Sequence, residues 1–270
     1  SPYTYRNPWN ENNPARLSQR CLEQLEGLIA QVGAGKIAAF VAEPVQGAGG
    51  VIVPHESYWP GLRQLLDRHG ILLISDEIVT GFGRIGAMCG ARAWGVVPDI
   101  MAMAKGINSG YVPLGATLLN ERVASAWDKP DVPAAMMHGY TYSGHALACA
   151  AANANLDIVE SENLPARAAE VGEYLQQALQ SLARYAHVGE VRGKGMMAAI
   201  ELVKDKASRE MLLPPSPYIQ TLVGTARTEG AIIRVQGNRL ILSPPLIFTK
   251  EHVDESLHIL HKAFQNAEKT

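Results

Sequence analysis

Two apolar runs, Ile37-Ala-Ala-Phe-Val-Ala-Glu43 and Ile71-Leu-Leu-Ile-Ser75, decide the fold of this chain. Between them, Tyr58–His69 carries apolar side chains at helical spacing. Short, continuous apolar runs are typical of strands that are buried on both faces of a sheet. The order strand, helix, strand therefore predicts a parallel pair with a right-handed crossover, which is the unit of an α/β fold.

The same alternation continues along the chain, but the order of predicted helices and strands changes after Glu160. Before that point the pattern predicts helices over 17–32 and 145–160 and strands over 100–104 and 115–119. After it the pattern predicts helices over 164–185, 218–229 and 250–267 and strands over 188–192, 196–203, 232–235 and 239–243. This organisation predicts an α/β domain with a parallel-rich sheet over residues 1–160 and a smaller α+β domain over 161–270.

The composition narrows the class of protein. The 270 residues are 47% hydrophobic and 19% charged, and the formal net charge is −2, which argues against disorder and against a nucleic-acid surface. The apolar runs are shorter than the ~20 residues of a spanning helix, so no membrane association is expected. Cys21, Cys89 and Cys149 are widely spaced, and the first residues show no charged and apolar leader. Reduced thiols and a cytoplasmic location are therefore predicted.

No metal site is predicted. His258 and His261 are spaced to share one face of the last predicted helix, but no acidic or cysteine ligand accompanies them. A solvated helix face is the favoured interpretation of this pair.

Polar residues follow four of the apolar runs: Glu43, Asp76, Lys105 and Thr141. The carboxyl ends of parallel strands meet at one edge of a sheet, and ligands of α/β proteins bind there. The sequence therefore predicts that two carboxylates, a lysine and a hydroxyl converge on this edge.

A P-loop nucleotidase is one alternative, because four apolar residues before Asp76-Glu77 also describe a magnesium-holding strand. Such a protein needs a phosphate loop of the form G-x-x-x-x-G-K-[ST]. Gly35-Lys36 is preceded, five residues earlier, by alanine and is followed by isoleucine, so the loop pattern fails. This alternative is disfavoured.

Lys105 leaves a predicted buried strand, Ile-Met-Ala-Met-Ala, and precedes a glycine. Desolvation there would favour the neutral amine, which forms Schiff bases with carbonyl compounds. By itself the segment favours an ordinary exposed lysine at a strand end. Asp76 at a neighbouring strand end favours a cofactor site instead, because a carboxylate can keep the pyridinium nitrogen of pyridoxal phosphate protonated.

Three ordered motifs carry a family resemblance: Ala42-Glu-Pro-Val-Gln-Gly-Ala-Gly-Gly-Val51, Ile74-Ser-Asp-Glu-Ile-Val-Thr-Gly-Phe-Gly-Arg-Ile-Gly86 and Pro98-Asp-Ile-Met-Ala-Met-Ala-Lys-Gly-Ile-Asn-Ser-Gly-Tyr-Val-Pro-Leu-Gly-Ala116. Together they resemble the class III aminotransferases, which are pyridoxal-phosphate (PLP) enzymes of fold type I. Within that family the chain looks most like the omega-amine:pyruvate and putrescine:pyruvate transaminases. The resemblance implies that residues 1–160 are the C-terminal part of a large PLP-binding domain.

The resemblance also implies roles for single residues. Lys105 would form the Schiff base with PLP and carry a proton during the reaction. Asp76 would pair with the pyridinium nitrogen, and Ile78 would pack against the ring. Thr141 would donate its hydroxyl to the cofactor phosphate of a partner subunit, and Tyr140 would line that partner's substrate pocket. A homodimer with shared active sites is therefore expected.

Arg234 matches the mobile arginine with which the amine transaminases of this family bind the carboxylate of pyruvate. Ornithine and acetylornithine aminotransferases instead have a fixed arginine at the position of Ile241, and Glu43 matches the residue that gates it. The resemblance thus implies transfer from an omega-amine or diamine donor to pyruvate or another keto acid.

The family's phosphate-binding loop and ring-stacking aromatic precede the region that this sequence matches. The chain is therefore expected to be the C-terminal part of the family's full length, with the N-terminal part missing. Two alternatives stay open: a non-catalytic fragment that retains dimerisation surfaces, or another class III enzyme such as a 4-aminobutyrate aminotransferase or an aminomutase.

Overall fold

The computed structural model describes residues 1–128 and 136–270, and the chain forms two compact units. The first unit comprises Ser1–Val45, Pro54–Gly83 and Ala87–Asn163, and the second comprises Gln46–Val53, Arg84–Gly86 and Leu164–Thr270. Two short segments that the sequence assigned to the first domain thus belong to the second unit.

The first unit contains a four-stranded sheet in the order β1-β2-β3-β4. Its strands are β1 (Ala39–Ala42), β2 (Leu72–Asp76), β3 (Ile100–Met103) and β4 (Ala116–Leu119). The first three strands are parallel, and β4 runs antiparallel to β3. The predicted α/β class with a parallel-rich sheet is confirmed.

The described residues of this unit form four α-helices: α1 (Pro14–Val32), α2 (Tyr58–Arg68), α3 (Glu121–Ala124) and α4 (Ala146–Ser161). The first of them begins where the side chain of Asn13 accepts a hydrogen bond from the backbone N–H of Arg16. Helices α1 and α2 pack on the sheet through a core that includes Ile29, Trp59 and Leu73, all at most 2% exposed. The crossover helix predicted between the first two strands is therefore α2.

Asp99 fastens three elements of the first unit together. Its carboxylate, 3% exposed, accepts hydrogen bonds from Arg63 Nη1 (2.7 Å), the backbone N–H of Leu73 (2.8 Å) and Asn120 Nδ2 (3.0 Å). Burial raises the pKa of Asp99, but these donors outweigh burial and hold the pKa below its usual value. The buried charge therefore joins α2 and β2 to the residues that flank β3 and β4.

The second unit is built around an antiparallel sheet in the order β5-β6-β9-β8, with β7 paired to β6. Its strands are β5 (Val188–Lys194), β6 (Met197–Asp205), β7 (Glu210–Met211), β8 (Arg234–Gln236) and β9 (Arg239–Leu242). Its helices are α5 (Leu164–Leu179), α6 (Pro217–Thr228) and α7 (Lys250–Ala267). The helix predicted over 164–185 is shorter than expected, because residues 180–184 form a 3-10 turn.

One continuous core holds the second unit together. Residues 197–203 of β6 are all buried, and Phe264 from α7 is fully buried and stacks on Tyr185 with ring centroids 4.9 Å apart. None of the helices in the described parts of the chain is long and apolar enough to cross a bilayer.

Side chains of the second unit hold the glycine-rich residues 47–50, which explains why this segment leaves the first unit. Arg192 Nε donates to the carbonyl of Gly50 (2.9 Å), and Gln236 Nε2 donates to that of Ala48 (2.6 Å). Arg239 donates to the carbonyl of Gly49. Sequence periodicity carries no signal for such contacts, because side chains from three separate strands make them.

His261 differs from its predicted role as part of a solvated face. Its Nδ1 lies 2.9 Å from the hydroxyl of Tyr185, and its Nε2 lies 3.1 Å from that of Ser181. Burial lowers the pKa of His261, and the neighbouring Arg184 and His258 lower it further. His258 is exposed, whereas His261 is half-buried and contacts Tyr185 and Ser181.

Candidate active site

The carboxyl edge of the parallel sheet in the first unit brings three of the predicted residues together. Ala42 is paired with Ser75, so Glu43 follows β1 beside the end of β2. Asp76 ends β2 and is paired with Ala102 of β3, and Lys105 lies three residues further on. Neighbouring strands are ~4.8 Å apart, so two carboxylates and a lysine share one small stretch of this edge.

Lys105 begins a 3-10 turn, Lys105–Ile107, directly after β3. Its φ angle is 45°, in the left-handed region that costs a residue with a side chain about 1–3 kcal/mol. Backbone strain of this kind is concentrated at functional sites. The side chain is exposed in the described chain, so the predicted desolvation of the amine is wrong for this chain taken alone. The reason is that β3 ends at Met103 and its apolar neighbours do not extend over the lysine side chain.

Asp76 and Ile78 form a tight turn at the end of β2. The Oδ1 atom of Asp76 accepts a hydrogen bond from the backbone N–H of Ile78 at 3.0 Å. Both side chains are half-buried. The hydrogen bond fixes the direction of the carboxylate and leaves its second oxygen for another donor.

Glu77, the other acidic residue at this strand end, is fully buried and has a structural role that the sequence did not reveal. Its carboxylate accepts hydrogen bonds from Ser75 Oγ (3.0 Å), Thr80 Oγ1 (2.6 Å) and the backbone N–H groups of Gly90 (2.6 Å) and Ala91 (2.7 Å). The neighbouring thiol of Cys89 has a pKa raised by burial and by this carboxylate. Glu77 therefore closes the loop that follows the aspartate turn.

No strand lies in residues 136–140, directly before Thr141, so within the described residues Thr141 is not at a strand end of this sheet as predicted. Residues 141–144 form a turn that leads into α4, and both Tyr140 and Thr141 are exposed. The backbone N–H of Tyr140 donates to Ser143 Oγ at 2.9 Å, and the backbone N–H of Ser143 donates to the carbonyl of Tyr140 at 2.9 Å. Gly139, Ser143 and Gly144 interrupt the residues around Thr141, so they lack the continuous apolar run that a buried strand needs.

Arg234 lies in the second unit, at the first position of β8, and its side chain is exposed. It is paired directly with Ile241 of β9. Directly opposed residues of an antiparallel pair project from the same face of a sheet. Within residues 1–128 and 136–270 the guanidinium of Arg234 has no hydrogen-bond or ion-pair partner, so it is available to an anionic ligand.

A lysine and a carboxylate at adjacent ends of parallel strands define the class of protein as one suited to amine–carbonyl chemistry. The comparisons with known proteins agree. The family model described as "Aminotransferase class-III" matches residues 2–264. The chain therefore belongs to the class III aminotransferase family, which confirms the predicted family.

Three similar proteins illustrate the range of the family. The chain is 42% identical to adenosylmethionine-8-amino-7-oxononanoate aminotransferase of Geobacter sulfurreducens, over 97% of the chain and 58% of the relative. It is 40% identical to putrescine–pyruvate aminotransferase of Pseudomonas aeruginosa, over 97% of the chain and 56% of the relative.

The third is a solved structure, an amine transaminase from an uncultivated Pseudomonas species in the PLP-bound (internal aldimine) form. It is 55% identical with a TM-score of 0.95, over 98% of the chain and 60% of that structure. The chain thus spans between half and two thirds of the length of these proteins. The likeness confirms the predicted fold and agrees with the predicted cofactor, PLP.

Proposed function

We propose that the protein is a PLP-dependent aminotransferase that moves an amino group from an omega-amine or diamine to pyruvate or another keto acid. The observation that carries the proposal is the placement of Asp76 and Lys105 at the ends of neighbouring parallel strands, β2 and β3. The putrescine–pyruvate relative supports the choice of donor and acceptor.

The residues at this edge fit the cofactor. Lys105 supplies an exposed primary amine, Asp76 supplies a carboxylate for the pyridinium nitrogen, and Ile78 supplies an apolar side chain for a ring face. The backbone N–H of Ile78 orients the carboxylate, as the 3.0 Å hydrogen bond to Oδ1 indicates. The cofactor, when bound, supplies an electron sink for the carbon that bears the amino group.

Lys105 has two tasks under this proposal. Its Nζ would hold the cofactor covalently, and as a free amine the same atom would accept and return a proton at the donor carbon. One residue can perform both tasks because its side chain is exposed at the strand end and is not fixed in an ion pair within the described residues. Glu43, half-buried beyond β1, would order the strand end next to this pocket.

Arg234 is the proposed binding residue for the carboxylate of the keto acid. A guanidinium binds a carboxylate with two parallel hydrogen bonds, and an exposed position at the start of β8 leaves its side chain free to turn. Ile241 directly opposite presents an apolar side chain on the same face, which suits an uncharged amine. This arrangement supports amine donors over donors that carry a second carboxylate.

A homodimer with shared sites is also proposed. Near the start of α4 the chain exposes several large side chains: Met137 (93%), Tyr140 (72%), Tyr142 (78%) and Leu147 (64%). Exposed clusters of this kind mark protein interfaces. Thr141 in this turn would reach the partner's cofactor phosphate and Tyr140 the partner's substrate pocket. The free thiols of Cys21, Cys89 and Cys149 support a cytoplasmic location.

The cofactor site is tested by adding PLP to the purified protein, reducing with borohydride and mapping the labelled peptide. We expect the label on Lys105, loss of the label in Lys105→Ala, and full labelling in Lys36→Ala, which removes an exposed lysine of the same unit. Label spread over surface lysines, with no visible absorbance band, would instead favour the non-catalytic interpretation.

The substrate class is tested by measuring alanine formed from pyruvate with putrescine, an arylalkylamine, 4-aminobutyrate or adenosylmethionine as donor. We expect amines without a carboxylate to give the highest kcat/KM. We also expect Arg234→Ala to raise the KM for pyruvate about 10- to 100-fold, because a charge-assisted bidentate contact is lost. Greater activity with 2-oxoglutarate and 4-aminobutyrate would assign the protein to the other branch of the family.

A further inference from the structure

The side chain of Asn155, in helix α4, makes hydrogen bonds to the turn that carries Lys105. The Nδ2 atom of Asn155 donates to the backbone carbonyls of Gly106 (2.9 Å) and Ile107 (3.2 Å). Its Oδ1 atom accepts a hydrogen bond from Ser109 Oγ at 2.6 Å. Both ends of one amide group therefore bind three of the four residues that follow the lysine.

The turn needs such contacts because it is strained. Lys105 and Ser109 have φ angles of 45° and 53°, which cost residues with side chains about 1–3 kcal/mol each. Gly106 lies against Phe82 so closely that a Cβ atom there would be 3.1 Å from the ring. Ile107 is 9% exposed and packs in the same cluster. Packing fixes one side of the turn, and the asparagine amide fixes its carbonyl groups.

The direction of the lysine side chain depends on this strain. At a φ of 45° the Cα–Cβ bond points differently from that of a residue at an ordinary negative φ. If the turn relaxed, the amine at the end of a long side chain would be moved away from its present position after β3. A misplacement of about 1 Å at a reacting group can cost a factor of ~100 in rate.

We propose that Asn155 is a positioning residue that holds the backbone of Lys105 in its left-handed conformation and so aims the amine at the cofactor. The inference rests on the proposed function of Lys105. Asn155 itself touches no reacting atom and acts through the carbonyls of Gly106 and Ile107.

Four variants separate this role from a general effect on folding. Asn155→Ala removes both kinds of contact, and Asn155→Asp keeps the shape and the acceptor for Ser109 but loses the amide donor. Ser109→Ala removes only the hydroxyl contact. Asn153→Ala is the matched control, because Asn153 is an exposed asparagine of the same helix whose side chain makes no hydrogen bond within the described residues.

The first readout is the rate at which PLP is captured on Lys105, measured by borohydride reduction and peptide mapping at a temperature where each variant is folded. We expect Asn155→Ala and Asn155→Asp to slow capture about 10- to 100-fold, while Ser109→Ala and Asn153→Ala stay within about threefold of the parent. The second readout is the pH midpoint of the visible absorbance, which should move in the two Asn155 variants only.

A third readout, amide hydrogen exchange over residues 105–112, needs no cofactor. We expect faster exchange in the Asn155 variants and unchanged exchange in Asn153→Ala. If the parent protein captures no PLP on Lys105, the proposed function fails whatever the exchange shows. If the parent captures it and both Asn155 variants do so at the same rate and with the same pH midpoint, the positioning role is overturned. Should Asn155→Ala fail to fold, Asn155→Asp decides the question.

Discussion

The two sheets of the molecule differ in how completely their side chains are covered. In the second unit, residues 197–203 of β6 are all buried under α5, α6 and α7. In the first unit, β1 and β4 have no buried residue, and Val41 and Leu118 are 61% and 42% exposed. Parallel sheets are normally buried on both faces, so the first unit leaves apolar surface that its own residues do not cover.

The two units therefore differ in whether their exposed or their buried residues are the more informative ones to change. The second unit buries its apolar side chains in one continuous core, whereas the first keeps its charged residues at a sheet edge and its large apolar residues near α4 exposed. Apolar burial is the largest favourable contribution to folding, so a core side chain of the second unit should contribute more to stability than an exposed side chain of β1 or β4. The proposed cofactor residues Asp76 and Lys105 and the proposed dimer surface instead lie in the first unit.

The largest effect is expected from Phe264→Ala. The ring is fully buried and stacked on Tyr185, so its removal should lower the free energy of unfolding by about 3–5 kcal/mol. Leu118→Ala in β4 of the first unit should cost about 1 kcal/mol or less, because that side chain is partly in solvent. Urea unfolding followed by circular dichroism measures both. Similar losses of unfolding free energy in the two variants would contradict the difference in burial between β4 and the core of the second unit.

The second-largest loss of stability is expected when Asp99, a buried carboxylate of the first unit, is replaced. Asp99→Asn should cost about 3 kcal/mol, because Arg63 loses its buried partner. Asp67→Asn is the matched control: it also pairs with Arg63 but is half-exposed, so its loss should cost less than about 1 kcal/mol.

The pH dependence of this contact has a defined sign. Because the pKa of Asp99 is below its usual value, its contribution is present above the unfolded-state pKa of ~3.9 and is lost as the pH falls through the folded-state pKa. The stability difference between the parent and Asp99→Asn should thus be constant at neutral pH and shrink below pH ~4. A difference that does not change on acidification would contradict the assignment.

The smallest effect is expected at His261 in the second unit. Its pKa is lowered by burial and by Arg184 and His258, so the contribution of the neutral ring is present above the unfolded-state pKa of ~6.5. It is lost as the pH falls through the lower folded-state pKa. The urea midpoint of the parent should therefore drop more between pH 7 and pH 5 than that of His261→Gln. His258→Gln removes only the smallest of the three causes, so its response should lie closer to that of the parent than to that of His261→Gln.

Much of the first unit could be predicted because its strands are short apolar runs with polar residues directly after them. Asp76 and Lys105 were found in this way, and the observed pairing of β2 with β3 brings them to one edge. Thr141 could not be placed by the same rule, because the turn before α4 is held by local hydrogen bonds and no strand precedes it in residues 136–140.

Residues that act through long-range hydrogen bonds gave no sequence signal. Asn155 lies in an alanine-rich helix 49 residues after Gly106, and no spacing rule connects an amide to a carbonyl at that separation. Glu77 was visible as an acidic residue, but only its four donors show that it closes a loop.

The sequence by itself determined the order of helices and strands, the family and the strand ends on which the charged residues lie, because these depend on local periodicity and on motifs that are contiguous in the chain. Only the tertiary structure decided that the Lys105 side chain is exposed, that residues 46–53 join the second unit and that Asn155 holds the lysine turn. Each of these depends on contacts between residues far apart in sequence, which are set when the elements pack together.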